Sequence, residues 1–468
     1  MTRLVWVCCI VIAMSPLITA AADLLVDPKD GDDAMDGRSA PVKTISRAMR
    51  LAVAGDTIHL RPMVYRDWAA FFDKSGEPGK PITLDGHGAT LDGCDSLDPT
   101  GWVGVEPGLF RNDNLMPLTD AIIDRWFFVM NGKLNRMNRC SKGPSESLKA
   151  PGDLKPDEWT FVKDAERTKT ARAGYIFGTF WLRLPTGQGI GDAKIEVPTR
   201  MAGVAMHGKC THLVVRNLTS TRPYNDGFNL SDCRDVLFEN IRAIDCGDDG
   251  ISAHGECQYR VDGFTSIGNA TGICDTGNSE TTYRRVFIRD CIGFDLFFLD
   301  TGRYSVSDAV IQSSAAKTLY LQGRDKPAEP CRVSLDNVLI RRERTENEVR
   351  VSPNCILTAK RVTFLNLDVQ ATGGEITCDR CYFGGIVPAK TPRKPQMHVW
   401  KDATWRGVGN WYDLGTVRVG QSSFTAATFA GFQQSVLSDR ESRWQPATEA
   451  DARAASIGSD PMPVIFEK

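Results

Sequence analysis

Cysteine returns at a coil-length interval along this chain. Cys210 opens CTHLVVRNL, Cys233 opens CRDVLFENI and Cys257 opens CQYRVDGF, and the interval returns at Cys331, Cys355 and Cys378. The steps are 23 and 24 residues, then 74, then 24 and 23, so the long gap holds three steps of about 25 each. A short β-branched and aliphatic run follows each cysteine, and Asn, Asp and Gly follow the run. Such a period, built of short strands and turns, predicts a solenoid with one coil per repeat. No helical periodicity accompanies it and no LxxLxL pattern is present, which argues for a parallel β-helix over a leucine-rich horseshoe. The predicted fold class is all-β, a single-stranded right-handed parallel β-helix.

Neighbouring coils lie about 4.8 Å apart, and disulfide Cα separations run about 4.4–6.8 Å. Neighbours on the beat are therefore within bridging reach; the preferred reading is an inward stack of small, weakly polar side chains. Cys378 and Cys381 form a C-x-x-C, but no second pair completes a zinc site.

The first 22 residues read as a signal peptide: Arg3, an apolar run from Leu4 to Ile18, and Ala20-Ala21-Ala22 as the cleavage motif. The run is short for a membrane span, so the expected location is secreted or periplasmic, as a soluble monomer. Net charge is −2 and no Lys/Arg run tracks phosphates, which argues against nucleic acid as a partner.

Residues 23–97 are expected to form an N-terminal cap and the first coils. Thr44 is placed to N-cap a helix that puts Ile45, Ala48, Met49 and Ala52 on one face, and a solenoid needs such a cap over its exposed end. Residues 98–200 break the beat. GLFRND, RWFFVMNGK, DEWTFVKD and GTFWLRLP alternate in the manner of hairpins, so an inserted antiparallel β subdomain is predicted. Trp126, Trp159 and Trp181 in it either fill its own core or offer platforms to a sugar. Coils resume over 201–387, and 388–468 is read as a C-terminal cap and a tail that returns along the outside.

VDPKDGDDAMDGRSAPVKTISRAMRLAVAGDTIHLRPMVYRD, followed by GEPGKPITLDGHGATLDG, resembles the N-terminal entry of the secreted right-handed parallel β-helix proteins of the pectin-lyase-like superfamily. The resemblance implies the fold and leaves the chemistry open.

The densest polar cluster lies on two consecutive coils. RPYNDGFNLSD carries Tyr224, Asn225, Asp226 and Asn229, and AIDCGDDGISAHGEC carries Asp245, Asp248, Asp249, His254 and Glu256. Asp226 precedes Asp248 by 22 residues and Asp249 by 23, one coil in either case, so these carboxylates should stack on one face. Adjacent like charges raise at least one pKa, which suits glycoside hydrolysis with one carboxylic acid and one carboxylate. Turn chemistry is the plainer alternative, since Asp and Asn at coil corners bond their own backbone. NDGF one coil before GDDG also resembles the N-T-D and D-D motifs of polygalacturonase-type inverting glycoside hydrolases. That resemblance implies Asp226 and Asp248 on the general-base side and Asp249 as the acid. His254-Gly255 lies on the same coil rather than the next, and Arg303 or Arg324 would stand in for a missing Arg-x-Lys.

The catalytic candidates are thus Asp226, Asp248, Asp249 and His254, and the substrate-binding candidates are Tyr224, Asn225, Arg303 and Arg324. Asp275 and Glu280, on a longer coil, are expected near the same groove. The expected substrate is a polysaccharide or oligosaccharide. The runner-up readings are a polysaccharide lyase and a non-catalytic carbohydrate-binding solenoid. No cofactor is required by this reading. The acidic turn of Asp30, Asp32, Asp33 and Asp36 offers oxygen ligands of the kind calcium takes.

Overall fold

A computed structural model describes residues 22–343, 347–385 and 393–460; the signal-peptide reading falls almost wholly outside them. Among the described residues, two long sheets of 16 and 12 strands wind together as a parallel β-helix, and two four-stranded antiparallel sheets stand apart. The larger sheet holds the long strands, such as Thr211–Thr221, Arg234–Ile244, Gln258–Ile267 and Glu280–Arg289. The smaller holds the short ones, such as Val204–His207, Phe228–Ser231, Asp249–His254 and Thr271–Asp275.

The sequence pattern explains the shape of a coil. Each of these long strands bends mid-length at a residue of left-handed backbone. Asn217 and Asn240 (φ +54° and +50°), Gly263, Arg285, Asp308, Asn337 and Arg361 follow one another in this role. Asn, Asp and Gly tolerate that conformation best, which is why they follow the aliphatic run in most repeats. Inside the bend, Val215, Phe238, Val261, Tyr283, Val306, Leu335 and Ala359 pair in one inward column, and all are buried. Each sits over its neighbour on the next coil, so the core is continuous along the axis.

The cysteine beat follows the coils for most of its length. Backbone bonds from Arg234 N to Cys210 O, Gln258 N to Cys233 O, Glu280 N to Cys257 O, Arg303 N to Ser279 O and Arg332 N to Gly302 O trace one corner column. Cys331 then pairs directly with Cys355. Ser279 and Gly302 therefore hold the cysteine's place through the 74-residue gap. The last step differs: Cys378 pairs with Ala359 and belongs to the inward column. The coil after Cys355 is shorter, so the equal spacing there is coincidental. All twelve described cysteines are buried and free.

The N-terminal cap is the helix Ile45–Leu51, with the Thr44 hydroxyl accepting from Arg47 N. Ile45, Ala48, Met49 and Ala52 are buried over the first coil. The acidic turn spends its carboxylates locally. Asp33 accepts from Lys43 N, Thr44 N and the Thr44 hydroxyl, Asp36 from Arg38 N and Ser39 N, and Asp32 from Ala34 N. Asp30 pairs with Arg61 at 3.0 Å.

The insert leaves the solenoid after the strand Ile82–Asp92, whose next neighbour in the sheet is Thr211–Thr221. It is thus spliced between consecutive coils. Its core gathers Trp102, Trp126, Phe128, Trp159, Phe161 and Phe180. Trp126 and Trp159 are 1% and 0% exposed and are not platforms. Trp181 is half-buried, with Arg111 5.9 Å from its ring.

Both sheets continue past residue 387, through Gln396–Val399, Thr404–Val408 and Trp411–Tyr412 to Arg443–Trp444. Trp411 and Tyr412 are therefore coil residues, and the helix Phe429–Val436 closes the end with Phe432 buried. The tail crosses back outside: Gly458 N bonds Arg380 O, Ser459 N bonds Thr363 Oγ1 and Asp460 N bonds Asn337 Oδ1.

Candidate active site at the junction of insert and solenoid

Asp226 sits just before the strand Phe228–Ser231, and Asp248 and Asp249 lie at the start of Asp249–His254, one coil on. Oxygens of the three carboxylates lie within 4.8 Å of one another. Each residue is at most 2% exposed. Asp226 Oδ1 accepts from Asp249 N at 3.0 Å, and Oδ2 accepts from the side-chain amides of Asn225 and Asn229. Part of the cluster is therefore corner chemistry, as the plainer sequence reading expected.

The insert supplies the rest. Lys142 Nζ donates to both oxygens of Asp249, at 2.6 and 2.5 Å, and lies 3.1 Å from Asp248. The Ser141 hydroxyl donates to Asp248 at 2.6 Å, and Arg125 Nε approaches it at 2.8 Å. Arg125 also bonds the Asn225 side chain. It ends the helix Asp120–Arg125, which Thr119 N-caps. Lys142 is held by a close backbone approach: a Cβ on Gly143 would come within 2.7 Å of Gly293 Cα. Arg136 ties the same segment down by donating to the carbonyls of Cys246 and Gly268.

Three carboxylates face two cations. Desolvation and the Asp248 charge push Asp249 up to about 7 and Asp226 up to about 6. Asp248 resists the same desolvation because Lys142 and Arg125 attract its charge, and it stays below the usual carboxylate range. Lys142 lowers Asp249 as well, but burial and the Asp248 charge outweigh it, so Asp249 is the carboxyl of the three that holds a proton to the highest pH. Lys142 itself is held cationic by these carboxylates against its burial.

His254 stands at the exposed rim, 2.9 Å from the Ser252 hydroxyl. The protein around the ring lowers its pKa, so it is neutral at pH 7. Tyr224 packs against the insert core. Other residues expected here lie elsewhere. Arg303 stands on the long-strand sheet between Glu280 and Arg332, and Arg324 pairs with Asp300 at 2.8 Å. Glu256 pairs with Arg234 at 2.7 Å. Asp275 points into the solenoid and accepts from Tyr259, Thr281 and Tyr283 at 2.7, 2.7 and 2.9 Å. An alternating register put it inward, with Ile273, where no groove runs.

A row of outward side chains leads away from the cluster across the short-strand sheet. Asn229, Ser252, Cys274, Phe297, Tyr320 and Arg350 are register partners on successive coils, spaced about 4.8 Å apart. Phe297 stacks on Phe294 at 4.2 Å, and Lys317 Nζ lies 4.5 Å from the Tyr320 ring centre. Phe297 and Tyr320 are half-buried.

No protein-family model matches the sequence, and no curated protein matches it. Solved structures do. A XylC complex with xylose aligns at TM-score 0.50 and 12% identity, over 90% of this chain and 82% of that chain. The likeness is one of fold, the parallel β-helix. A rhamnogalacturonan lyase aligns at TM-score 0.41 and 11% identity, over 86% and 83% of the two chains. A GH136 lacto-N-biosidase from Eubacterium ramulus aligns at TM-score 0.38 and 11% identity, over 91% and 68%.

In this β-helix the residues that sequence reasoning missed are Arg125, Ser141 and Lys142. NRCSKGP has no periodicity, and nothing in it announces which coil it covers. The sole signal was the insert's return to the solenoid at about Met201, a coil before the acidic cluster.

Proposed function

We propose that this chain is an exported enzyme that cleaves a glycosidic bond in a polysaccharide lying along the outer face of the short-strand sheet. The observation that carries the reading is the convergence of Asp226, Asp248 and Asp249 at the head of the Phe297–Tyr320 row, with Asp249 pushed up in pKa and Asp248 held down. Carboxyl groups pushed apart in pKa mark a division between acid and base roles. Aromatic faces spaced by the coil rise suit successive sugar rings.

Asp249 is the proposed acid. Its proton goes to the leaving glycosidic oxygen as the bond to the anomeric carbon breaks, and water adds to that carbon. One oxygen from each carboxyl group lies within 4.8 Å of the others, a closer approach than the carboxyl separation of about 6.5–9.5 Å that leaves room for an inverting water. Asp226 is also occupied by amide donors. The base is therefore assigned to His254, neutral and at the rim, which takes the water's proton. Lys142 covers Asp249 and must be drawn aside by the substrate's hydroxyl groups before the acid can act.

A lyase is the second reading, favoured by Arg125 and Lys142, two cations able to meet a uronate carboxylate. The held charge of Lys142 argues against its being the base, and His254 would fill that role.

The test is a polysaccharide panel with product analysis, on the wild type and on Asp249→Asn. New reducing ends without ultraviolet-absorbing unsaturated products support hydrolysis, and absorbing products support elimination. Loss of about two or more orders of magnitude in kcat for the folded variant supports the acid role. Glycan binding without turnover on any substrate would leave a binding module and end the catalytic reading.

A further inference from the structure

We propose that His59, His87 and Asp85 form a binding site for a divalent transition-metal ion on the N-terminal coils, remote in sequence from the acidic cluster. Suitable donor atoms of these three residues lie within 4.8 Å of one another.

Backbone geometry brings them together. His59, on the strand Thr57–Leu60, pairs directly with Asp85 on Ile82–Asp92. Two residues on, His87 adopts left-handed backbone (φ +48°) between Gly86 and Gly88. The adjoining ladder shifts register at this point. A bulge of this kind re-aims a side chain, and here it turns the His87 ring back over His59. The rings stack with centres 5.1 Å apart, and His59 Nδ1 lies 2.8 Å from His87 Nε2.

Two imidazole nitrogens at that distance share one proton between them. A metal ion between the rings takes a lone pair from His59 Nδ1 and one from His87 Nε2, at about 2.0–2.1 Å for zinc, and the proton they shared passes to His87 Nδ1, which faces Asp85, or to water. Both rings have carboxylates behind or beside them. His59 Nε2 is 2.9 Å from Asp23 Oδ1, the outer-sphere partner that fixes the tautomer of a metal-bound histidine. Asp85 lies 3.7 Å from His87 Nδ1 and is held in place by Arg216 at 2.7 Å and Asn217 at 3.1 Å. His59 is partly exposed and His87 more so, which leaves an entry path and room for water as a further ligand. Two imidazoles and a carboxylate select a borderline ion such as zinc over magnesium or calcium.

The experiment uses the mature, full-length protein stripped with a chelator and titrated with zinc sulfate by calorimetry and thermal melting. Magnesium serves as the hard-ion control. The expected result is one zinc per chain and a rise in melting temperature with zinc but not magnesium. His59→Ala and His87→Ala should abolish this site, Asp23→Asn should weaken it about tenfold, and the double variant His207→Ala/His254→Ala, at two strand ends of the short-strand sheet away from this site, should leave it intact. Circular dichroism checks that the variants fold; both rings are on the outside of the solenoid, so their loss spares the core. No zinc uptake by the wild type overturns the proposal. So does uptake that survives both single-histidine variants, or uptake that only His207→Ala/His254→Ala removes.

Discussion

Asp249 shows how the junction makes one carboxyl unlike its neighbours. In the unfolded chain it titrates near the ordinary value of 3.8; in the folded chain it is pushed up to about 7. The folded state therefore holds a proton that the unfolded state has released between those values. Stability from this residue is present at low pH and is lost as pH rises from about 4 to about 7. Denaturant melts should show the wild type losing stability between pH 5 and pH 8, with a smaller loss in Asp249→Asn; an unchanged pH dependence in the variant counts against the assignment. Lys142 tests the same balance from the other side. Lys142→Ala leaves two buried carboxylates short of a cation, and breaking a buried pair costs about 3–5 kcal/mol. Urea denaturation at pH 8 should show that loss, and at pH 5 a smaller one, since Asp249 is then neutral.

At the scale of elements, the insert acts through a few anchored points. The Gly143–Gly293 approach and the Arg136 carbonyl contacts position Lys142, while the helix Asp120–Arg125 positions Arg125. Trp159→Ala removes the centre of the insert core, at about 3–5 kcal/mol. Limited proteolysis should then cut within residues 98–200 first and leave the coils protected, with turnover falling because Lys142 and Arg125 are no longer held. If the coils are cut as early as the insert, the two parts unfold as one. The cap helix is a simpler case. Thr44→Ala deletes an N-cap and a bond to Asp33, and a loss of about 1 kcal/mol is expected in denaturant melts.

For the whole molecule, the cohesive element is the column. Inward side chains repeat at one height per coil and bury one another along the axis. Cysteine at the corner is a small buried side chain in such a column, and the structure leaves all twelve described thiols unpaired. Thiol titration in denaturant without reductant should find these cysteines reactive, and the melting temperature should not move when reductant is added. A lower melting temperature in reductant would mean that some of them are bridged.

The all-β class, the period, the N-terminal cap with its Thr44, and the stacking of Asp226 over Asp248 and Asp249 were legible in the chain itself. Each depends on spacing along one strand of polymer: a coil of fixed length returns equivalent residues to one face, and a helix cap is set by neighbours three residues away. Other features depended on contacts that spacing does not encode. The equal step to Cys378 hid a change of column, because coil length varied at one turn and the period could not say where. Arg303 and Arg324 matched a motif by residue type yet lie on another sheet and in another ion pair. Asp275 turned inward because register, not composition, sets the face a side chain takes. Lys142, Arg125 and Ser141 meet the acidic coils across about a hundred residues of sequence. They meet through the packing of the insert on the solenoid. Three aspartates on adjacent coils are written in the sequence; which of them keeps its proton is decided by burial and by the cations that tertiary structure brings to them.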